Sequence, residues 1–236
     1  MGHPLFFISD IHLDKKEPER IQHFIEFLDF TEQQNAVVYI LGDLFNFWVG
    51  DAQAQWNIYQ PLLHAMKQRS RQKKLFFLPG NRDFLFASYW QRNKGKVLQE
   101  KTILSLQGQR LLLSHGDILC TKDIAYQKIR SILRKKIIYL LSRFLPGFVC
   151  LRMGQNLRKA SKSSIKKKDY SFLKPDIAFA EKLLEENRCD ILLCGHFHSN
   201  CIHPFGSKKL RILPECTGNI LHYLAWQKEE WTENTF

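Results

Sequence analysis

The chain has 236 residues, enough for one α/β domain with a buried core, and it requires no second domain. Its six cysteines form no Cys-x-x-Cys pair, and several lie inside apolar runs, which argues against a disulfide framework and favours a reducing cytosol. No apolar run approaches the roughly 18 residues that cross a bilayer, and residues 5–8 are too few for a signal-peptide core. We therefore expect a soluble protein, or one at most peripheral to a membrane.

Strands and helices alternate through the first half of the chain. Apolar runs predict three strands, at residues 5–8, 36–41 and 74–78. A helix opened by Pro18 and a second helix near residues 57–68 lie between them, each with apolar residues at helical spacing. This alternation predicts a layered α/β fold with functional sites at the carboxyl ends of the strands.

The rest of the chain continues with strands, apart from one helix. A hairpin is predicted from residues 104–106 and 110–114. A helix begun by Pro175 and Asp176 runs to about Asn187 and precedes a strand at residues 190–194. Beyond it we expect antiparallel strands at residues 201–205, 210–213 and 220–226.

The net charge of +12 is concentrated in one segment, which also breaks the alternation. Residues 122–168 hold fourteen Lys and Arg against one acid, Asp123, whereas the remaining residues carry 21 basic and 22 acidic side chains. The segment has a helical apolar stripe of Ile129, Ile132, Leu133, Ile137, Leu140, Leu141 and Phe144, and Pro146-Gly147 ends that helix. We expect a helical hairpin, inserted as a cap over the functional site, that faces an anionic ligand or lipid. The alternative is a stripe packed on the core with its charges solvated.

Metal-competent side chains follow five of the predicted strands. They are Asp10 and His12, Asp43, Asn81, His115, and His196 and His198. Side chains at i and i+2 of an extended chain point the same way, so an Asp-x-His or His-x-His pair can bind one ion. Carboxylate, amide and imidazole ligands suit Mn²⁺, Fe²⁺ or Zn²⁺, and of these we expect Mn²⁺. Two such ions can activate water and clamp a phosphoryl group, with Asp43 as the natural bridge.

These motifs resemble those of the calcineurin-like metallophosphoesterases. The matching stretches are Asp10-x-His12, Gly42-Asp43, Gly80-Asn81, His115-Gly116-Asp117 and Gly195-His196-x-His198. The resemblance implies a four-layer α/β fold, a β-sandwich flanked by helices, that comprises residues 1–236 with the cap at about 122–168. It also implies that Asp10, His12, Asp43 and His198 hold one metal ion, and that Asp43, Asn81, His115 and His196 hold the other.

Longer stretches resemble the UDP-2,3-diacylglucosamine pyrophosphatases of lipid A synthesis. They are Leu41-Gly42-Asp43-Leu44-Phe45, Gly80-Asn81-Arg82-Asp83-Phe84-Leu85, His115-Gly116-Asp117-x-Leu119-Cys120-Thr121-x-Asp123, and the basic cap with Ser161 and Lys168. This similarity implies hydrolysis of a lipid-linked UDP-sugar to UMP and 2,3-diacylglucosamine 1-phosphate. It implies catalytic roles for Asn81, Arg82 and His115, and substrate contacts by Asn81, Arg82, Asp123, Ser161, Lys168 and His196. We expect a monomer, peripheral on the cytoplasmic face of the inner membrane through the basic cap.

Arg82 carries an independent argument about the leaving group. Many members of the wider family have His after the Asn, where it can protonate an alkoxide. A guanidinium, with an ordinary pKa above about 12, cannot donate usefully at neutral pH. A phosphate leaving a pyrophosphate needs no proton, and arginine can neutralise its charge bidentately. The alternative role for Arg82 is a surface salt bridge with Asp83.

Two other functions stay open. The chain departs from the pyrophosphatase pattern at Ile165, where Asn is common, and at Phe197, Ser199 and Asn200, so another nucleotide pyrophosphate or a phosphodiester is an alternative substrate. A pI near 9.5 also allows a nucleic-acid-binding module. The basic segment has few aromatics suited to base stacking, so we expect no nucleic-acid partner, and steep salt dependence of binding would distinguish that case.

Overall fold

The computed structural model describes residues 2–144, 146–149, 151–152, 155–156 and 174–236. Within these residues the strands are β1 Leu5–Ile8, β2 Val37–Ile40, β3 Leu75–Phe77, β4 Lys96–Val97, β5 Thr102–Leu106, β6 Gln109–Leu113, β7 Ile191–Cys194, β8 Cys201–Phe205, β9 Lys208–Ile212, β10 His222–Gln227 and β11 Glu230–Thr235. The α-helices are α1 Pro18–Gln33, α2 Gln60–Arg71, α3 Phe84–Arg92, α4 Ile124–Leu133, α5 Lys136–Phe144 and α6 Ile177–Glu186. Short 3₁₀ helices occur at Asp51–Gln55, Asn57–Tyr59 and Asp117–Leu119.

The strands form two mixed sheets. The first has the order β11-β10-β1-β2-β3-β4, in which β1 to β4 are parallel and β10 and β11 are added antiparallel. The second has the order β5-β6-β7-β9-β8, in which β6, β7 and β9 are parallel. Parallel neighbours place all their carboxyl ends at one edge, so each sheet presents a row of loops there.

Three apolar clusters hold the layers together. Side chains of β1 and β2, such as Phe7 and Tyr39, meet Leu111 and Leu193 of the other sheet in the space between the sheets. On the outer face of the first sheet, α1 and α2 bury a large cluster that includes Phe24. On the outer face of the second sheet, the buried side chains of α6 pack on β6, β7 and β9. The predicted four-layer α/β sandwich is therefore confirmed.

Several details differ from the sequence-based expectations. The C-terminal strands are not one antiparallel set, because β9 runs parallel to β7 while β8 and β10 lie in different sheets. Helix α3 and the strands β4 and β11 were not predicted. The apolar stripe expected for α1 was Ile21, Phe24, Ile25 and Leu28, but Ile25 is only partly buried whereas Phe27 is fully buried, so the apolar face is rotated from that stripe. In each case long-range strand pairing or packing decides the structure, and the local sequence pattern does not contain that information.

The basic segment is described as far as Phe144 and in short pieces beyond it. The part up to Phe144, expected as the single first helix of the hairpin, forms two helices, since α4 ends at Leu133 and α5 begins at Lys136. Apart from Leu133, which is half-buried, the side chains of the apolar stripe are exposed, from 48% at Leu141 to 71% at Phe144, so these residues do not pack on the core. Ser161, Ile165 and Lys168 lie outside the described residues. In the described part of the chain, none of the helices has the length and hydrophobicity needed to cross a bilayer.

Candidate metal centre

Five loops meet where the carboxyl ends of β1, β2, β3, β6 and β7 converge. Backbone hydrogen bonds join loops that are far apart in sequence. The Asp10 N–H donates to the Gly42 carbonyl at 3.1 Å, and the His12 N–H donates to the Asp43 carbonyl at 3.0 Å. In the second sheet the Gly195 N–H donates to the His115 carbonyl at 2.9 Å. The two sheets thus bring together, at one end of the sandwich, the seven side chains that the sequence marks as metal ligands.

The backbone at these residues is not extended, so the expected alternate-residue geometry is wrong. φ is positive at Asp10 (52°), His12 (55°), Asp43 (53°), His196 (72°) and His198 (51°). Residues other than glycine rarely adopt this left-handed conformation, and each such residue costs on the order of 1–3 kcal/mol. The loops keep the conformation because their backbone groups are hydrogen bonded to one another. Backbone strain at five of the seven predicted ligand residues is typical of a functional site.

Glycine permits the close approach of two of these loops. Gly42 has φ of 93°, and a Cβ there would stand 2.5 Å from His115 Nδ1. A Cβ at Gly80 would clash with the Asp43 carboxylate. A larger residue at either position would push the Asp43 loop away from its neighbours.

One group of ligand atoms is formed by Asp10, His12 and His198, whose donor atoms lie within 4.8 Å of one another. His198 Nε2 is 3.4 Å from Asp10 Oδ1 and 3.4 Å from His12 Nε2. Asp43 adjoins this group, since its Oδ2 lies 4.0 Å from His12 Nδ1. These are the four residues expected around the first ion.

A second group is formed by Asp10, Asp43 and His115, again within 4.8 Å. His115 Nδ1 lies 2.9 Å from the Leu41 carbonyl, to which its N–H donates, so the lone pair is on Nε2. That Nε2 lies 2.8 Å from Asn81 Oδ1, and His196 Nδ1 lies 3.1 Å from the same oxygen. Ligands of an octahedral ion at about 2.1 Å are themselves about 3 Å apart, so this spacing fits a shared cation.

A further observation indicates that these residues can bind a cation. Among the described residues, Asp10 Oδ1, His12 Nδ1 and Asp43 Oδ2 are buried and make no hydrogen bond of ordinary geometry, although His198 Nε2 lies 3.4 Å from Asp10 Oδ1 and Arg82 Nε lies 3.3 Å from Asp43 Oδ2. Asp10 and Asp43 are fully buried carboxylates. Burying an unpartnered ionised group costs several kcal/mol, and a divalent cation bound between the two carboxylates removes that cost.

Two of the four histidines of the centre, His12 and His196, are suited to bind metal without competition from protons, whereas neighbouring carboxylates outweigh burial and raise the pKa of His115 and of His198. Burial, together with the charge of Arg82, lowers the pKa of His12 to about 2. Burial and the neighbouring His115 lower the pKa of His196 to about 4. Burial would raise the pKa of Asp10, but the His198 hydrogen bond and the surrounding histidines hold it well below its usual range. At neutral pH His12 and His196 are neutral imidazoles and Asp10 is a carboxylate, the forms that ligate metals.

Arg82 lies at the rim of the centre. Its Nε is 3.3 Å from Asp43 Oδ2, its backbone N–H donates to Asp43 Oδ1 at 2.9 Å, and Nη1 donates to Asn46 Oδ1 at 3.3 Å. The side chain is 35% exposed, so the guanidinium can reach a ligand in the cleft. The expected alternative, a surface salt bridge with Asp83, is wrong. Asp83 is buried and accepts the backbone N–H groups of Gly80 at 2.9 Å and Phe45 at 3.2 Å.

A buried ion network joins the centre to α4. Asp117, two residues after His115, is fully buried and pairs with Arg130 Nε at 2.7 Å and with Arg134 Nη2 at 3.1 Å. Tyr126 donates its hydroxyl to Asp117 at 2.9 Å, and its ring stacks on that of His196 with 6.5 Å between centroids. Two of the fourteen bases of the segment are therefore neutralised by two acids outside it, Asp117 and Glu100.

Asp123 occupies the N-cap of α4. Its Oδ1 accepts the backbone N–H of Tyr126 at 3.0 Å, and its backbone carbonyl accepts the N–H of Gln127 at 2.9 Å. The structure thus gives this residue a capping role, while its substrate contact stays a prediction. The predicted contacts Ser161 and Lys168 cannot be placed, because they lie outside the described residues.

Three buried or half-buried acids of the centre were not predicted as site residues. Asp83 ties together the loops after β2 and β3, Asp117 anchors α4, and Glu215 contacts two of the predicted ligand histidines. Asp117 stands in the His-Gly-Asp motif, so the sequence held a signal for it. Glu215 carries no such signal, because it follows a strand that was expected to be antiparallel.

Comparison with known proteins gives consistent matches. The family described as Calcineurin-like phosphoesterase matches residues 3–200. A Histophilus somni protein named UDP-2,3-diacylglucosamine hydrolase is 33% identical over 199 residues, 84% of this chain and 85% of that protein. Proteins of the same name from Aeromonas salmonicida and Neisseria meningitidis are each 35% identical, over 84% and 85% of this chain and 79% and 84% of their own lengths.

Proposed function

Because the chain belongs to the calcineurin-like phosphoesterase family, we propose that it hydrolyses the pyrophosphate bond of UDP-2,3-diacylglucosamine, releasing UMP and 2,3-diacylglucosamine 1-phosphate. The observation that carries this proposal is the identity of 33–35%, over most of both chains, to proteins named UDP-2,3-diacylglucosamine hydrolase. The convergence of seven metal-competent side chains supports the chemistry. The reaction is a step of lipid A biosynthesis.

The centre would hold two divalent ions. Asp10, His12, Asp43 and His198 would ligate one, and Asp43, Asn81, His115 and His196 the other, with Asp43 as the shared ligand. When bound, the ions activate water and withdraw charge from the phosphoryl oxygens. Oxygen and imidazole ligands without a cysteine thiolate suit Mn²⁺, Fe²⁺ or Zn²⁺, and of these we propose Mn²⁺.

The protein side chains near the ions orient the substrate. Arg82 is held beside Asp43 by Asn46 and would neutralise the phosphate that leaves, since it has no proton to supply at neutral pH. Asn81 and His196 would reach the phosphoryl group that water attacks, because both contact the second ligand group. Together with His115, these residues would place the α-phosphorus in line with the attacking water.

We further propose that α4 and α5 belong to a cap, at about residues 122–168, that binds the acyl chains and rests on an anionic membrane. Helix α4 is tied to the His115 loop through Asp117, whereas α5 contacts α3, where Tyr139 meets Phe84 with 6.0 Å between ring centroids. The two helices thus connect both sides of the centre. Their exposed apolar side chains lie beside bases, which suits a lipid with a phosphate headgroup.

The remaining predictions follow from that cap. We propose that the protein works as a monomer, peripheral on the cytoplasmic face of the inner membrane, with Asp123, Ser161 and Lys168 among its substrate contacts. The support for the membrane contact is the charge of residues 122–168 and the exposure of the apolar stripe in its described part.

The proposal is tested by incubating metal-stripped protein with UDP-2,3-diacylglucosamine and measuring UMP with and without added Mn²⁺. We expect UMP only when Mn²⁺ is present. Asp43→Asn, which keeps the shape but removes the shared charge, should lower turnover by more than the roughly 10–100-fold cost of disturbing an outer residue of a metal site. Asp29→Asn on the exposed side of α1 is the matched control.

The assay also separates the alternatives. Hydrolysis of another nucleotide pyrophosphate or of a phosphodiester, without release of UMP from the diacyl substrate, would keep the metal centre and replace the substrate. UMP release that survives chelation would remove the metal-dependent chemistry altogether.

A further inference from the structure

A sixth strand, β9, also ends at the metal centre and is followed by a loop with a metal-competent side chain. β9 runs parallel to β7, and the Leu213 N–H continues the pairing by donating to the Cys194 carbonyl at 2.7 Å. The carboxyl end of β9 therefore lies beside the loop that carries His196 and His198. The chain then passes through Leu213-Pro214 to Glu215.

Glu215 faces the predicted ligands of the first ion. Its Oε2 is 2.8 Å from His198 Nδ1, and its Oε1 is 3.7 Å from His12 Nε2. The side chains of Glu215 and His198 are each 31% exposed, which places this contact at the mouth of the centre. The other ring nitrogen of His198, Nε2, points inward to Asp10 Oδ1 and His12 Nε2, at 3.4 Å from each.

The segment that carries Glu215 is fixed to the loop of Asp10. The Cys216 N–H donates to the Asp10 carbonyl at 3.3 Å, and the Cys216 thiol donates to the Ser9 carbonyl at 3.7 Å. Arg20 of α1 donates to the Cys216 carbonyl. The carboxylate is thus held at a set distance from the ligands instead of extending freely from a loop.

We infer that Glu215 is a positioning residue of the metal centre, whose carboxylate accepts the Nδ1 proton of His198 and keeps the Nε2 lone pair of His198 directed at the ion. Within the same centre, the Leu41 carbonyl does this for His115, at 2.9 Å from Nδ1. A carboxylate does more than a carbonyl, because its charge also makes the imidazole a stronger ligand. The inference rests on the proposed metal centre and is independent of the substrate.

The test measures Mn²⁺ binding to the full-length, metal-stripped protein by isothermal titration calorimetry, without substrate. For Glu215→Ala we expect a loss of roughly 10–100-fold in affinity at one of the two sites, with the other site unchanged. Glu215→Gln should lie between wild type and Glu215→Ala, because the amide oxygen still accepts the proton but carries no charge. Glu185→Ala on the exposed side of α6 is the control and should bind as wild type does.

Wild-type affinity at both sites of Glu215→Ala would overturn the inference. Thermal unfolding in chelator shows whether a variant is folded. If Glu215→Ala unfolds at a lower temperature than wild type without metal, the Mn²⁺ affinity of Glu215→Gln is measured instead. Wild-type Mn²⁺ affinity in that variant would then overturn the inference. A wild-type protein that takes up no Mn²⁺ would overturn it together with the proposed centre. Two bound ions without hydrolysis of the diacyl substrate would remove only the substrate assignment.

Discussion

Arg82 is the residue on which the proposed choice of leaving group depends. It stands beside Asp43 and is partly exposed, so its guanidinium can contact a phosphate in the cleft. Because a guanidinium stays charged at neutral pH, it stabilises an anion and does not protonate an alkoxide. A pyrophosphate is therefore a better substrate for this site than a simple phosphodiester.

Replacing Arg82 by His tests that conclusion. Arg82→His should lower kcat/KM for the pyrophosphate by about 10²-fold or more, because charge stabilisation in the transition state is lost. It should raise the rate on a simple dialkyl phosphodiester, whose alkoxide leaving group needs a proton, since imidazole can donate one. Steady-state kinetics on both substrates measures the two effects.

Arg82→Lys is the matched variant, since it keeps the charge and loses the bidentate geometry. It should fall between wild type and Arg82→His on the pyrophosphate and gain nothing on the diester. An Arg82→His protein with wild-type kinetics on the pyrophosphate would show that Arg82 takes no part in the reaction.

At the scale of elements, α4 is fixed to the catalytic end of the sandwich by charge. Asp117 is fully buried, and the side chains of Arg130 and Arg134 are 13% and 20% exposed, so water screens these pairs little. Glu100 accepts from both arginines and completes the network. Breaking one partner of such a network leaves an incompletely compensated buried carboxylate.

We expect Arg130→Met to lower the free energy of unfolding by about 3 kcal/mol, the lower end of the range for broken buried pairs, because Arg134 still faces Asp117. Chemical denaturation in chelator measures this without a contribution from metal. Lys128→Met, at an exposed position of the same helix, is the control and should change stability by less than about 0.5 kcal/mol. Equal stabilities for the two variants would show that the network does not hold α4.

The exposed face of α5 gives a prediction about the lipid. A buried methylene contributes about 0.8 kcal/mol, so acyl chains can dominate affinity if they lie on Ile137 and Leu141. The double variant Ile137→Asp/Leu141→Asp should raise KM for the diacyl substrate far more than for a UDP-sugar without acyl chains. It should also reduce sedimentation with vesicles that contain anionic phospholipid.

Ile202→Asp is the control for that variant, because Ile202 is 47% exposed on β8, outside the cap. It should leave both KM values and vesicle binding unchanged. Equal losses on both substrates, with the circular dichroism spectrum intact, would mean that α5 does not recognise the acyl chains.

At the scale of the whole molecule, the metal centre joins the two sheets. The predicted ligands come from loops of both sheets, and the carboxylates among them are buried. An ion that binds only the folded chain at 100 times its dissociation constant adds about 2.7 kcal/mol to stability. We therefore expect Mn²⁺ to raise the melting temperature of chelated protein by roughly 5–10 °C per ion.

Differential scanning fluorimetry in chelator and in excess Mn²⁺ measures this shift. Asp43→Asn should lose most of it, because Asp43 serves both ions, whereas Asp29→Asn should keep all of it. Equal melting temperatures with and without Mn²⁺ in the wild-type protein would argue against a cation between the sheets.

The sequence by itself determined the order of the strands through β7, apart from β4, together with the α/β layering and the metal-competent side chains that follow five of the strands. These are local properties, because apolar runs form buried strands and Gly-rich turns place Asp, Asn and His directly after them. The identity of Arg82 likewise predicted the type of leaving group without any coordinates. The sequence also indicated the amphipathic basic segment, although it did not indicate the break between α4 and α5.

Only the tertiary structure decided how these parts meet. The left-handed conformation of Asp10 and His12 depends on hydrogen bonds between loops remote in sequence. The pairing of Asp117 with Arg130 depends on where α4 docks, and the approach of Glu215 to His198 depends on β9 running parallel to β7. Strand direction and helix docking follow from long-range packing and hydrogen bonding. These involve many residues that are distant in sequence, so no local sequence pattern contains them.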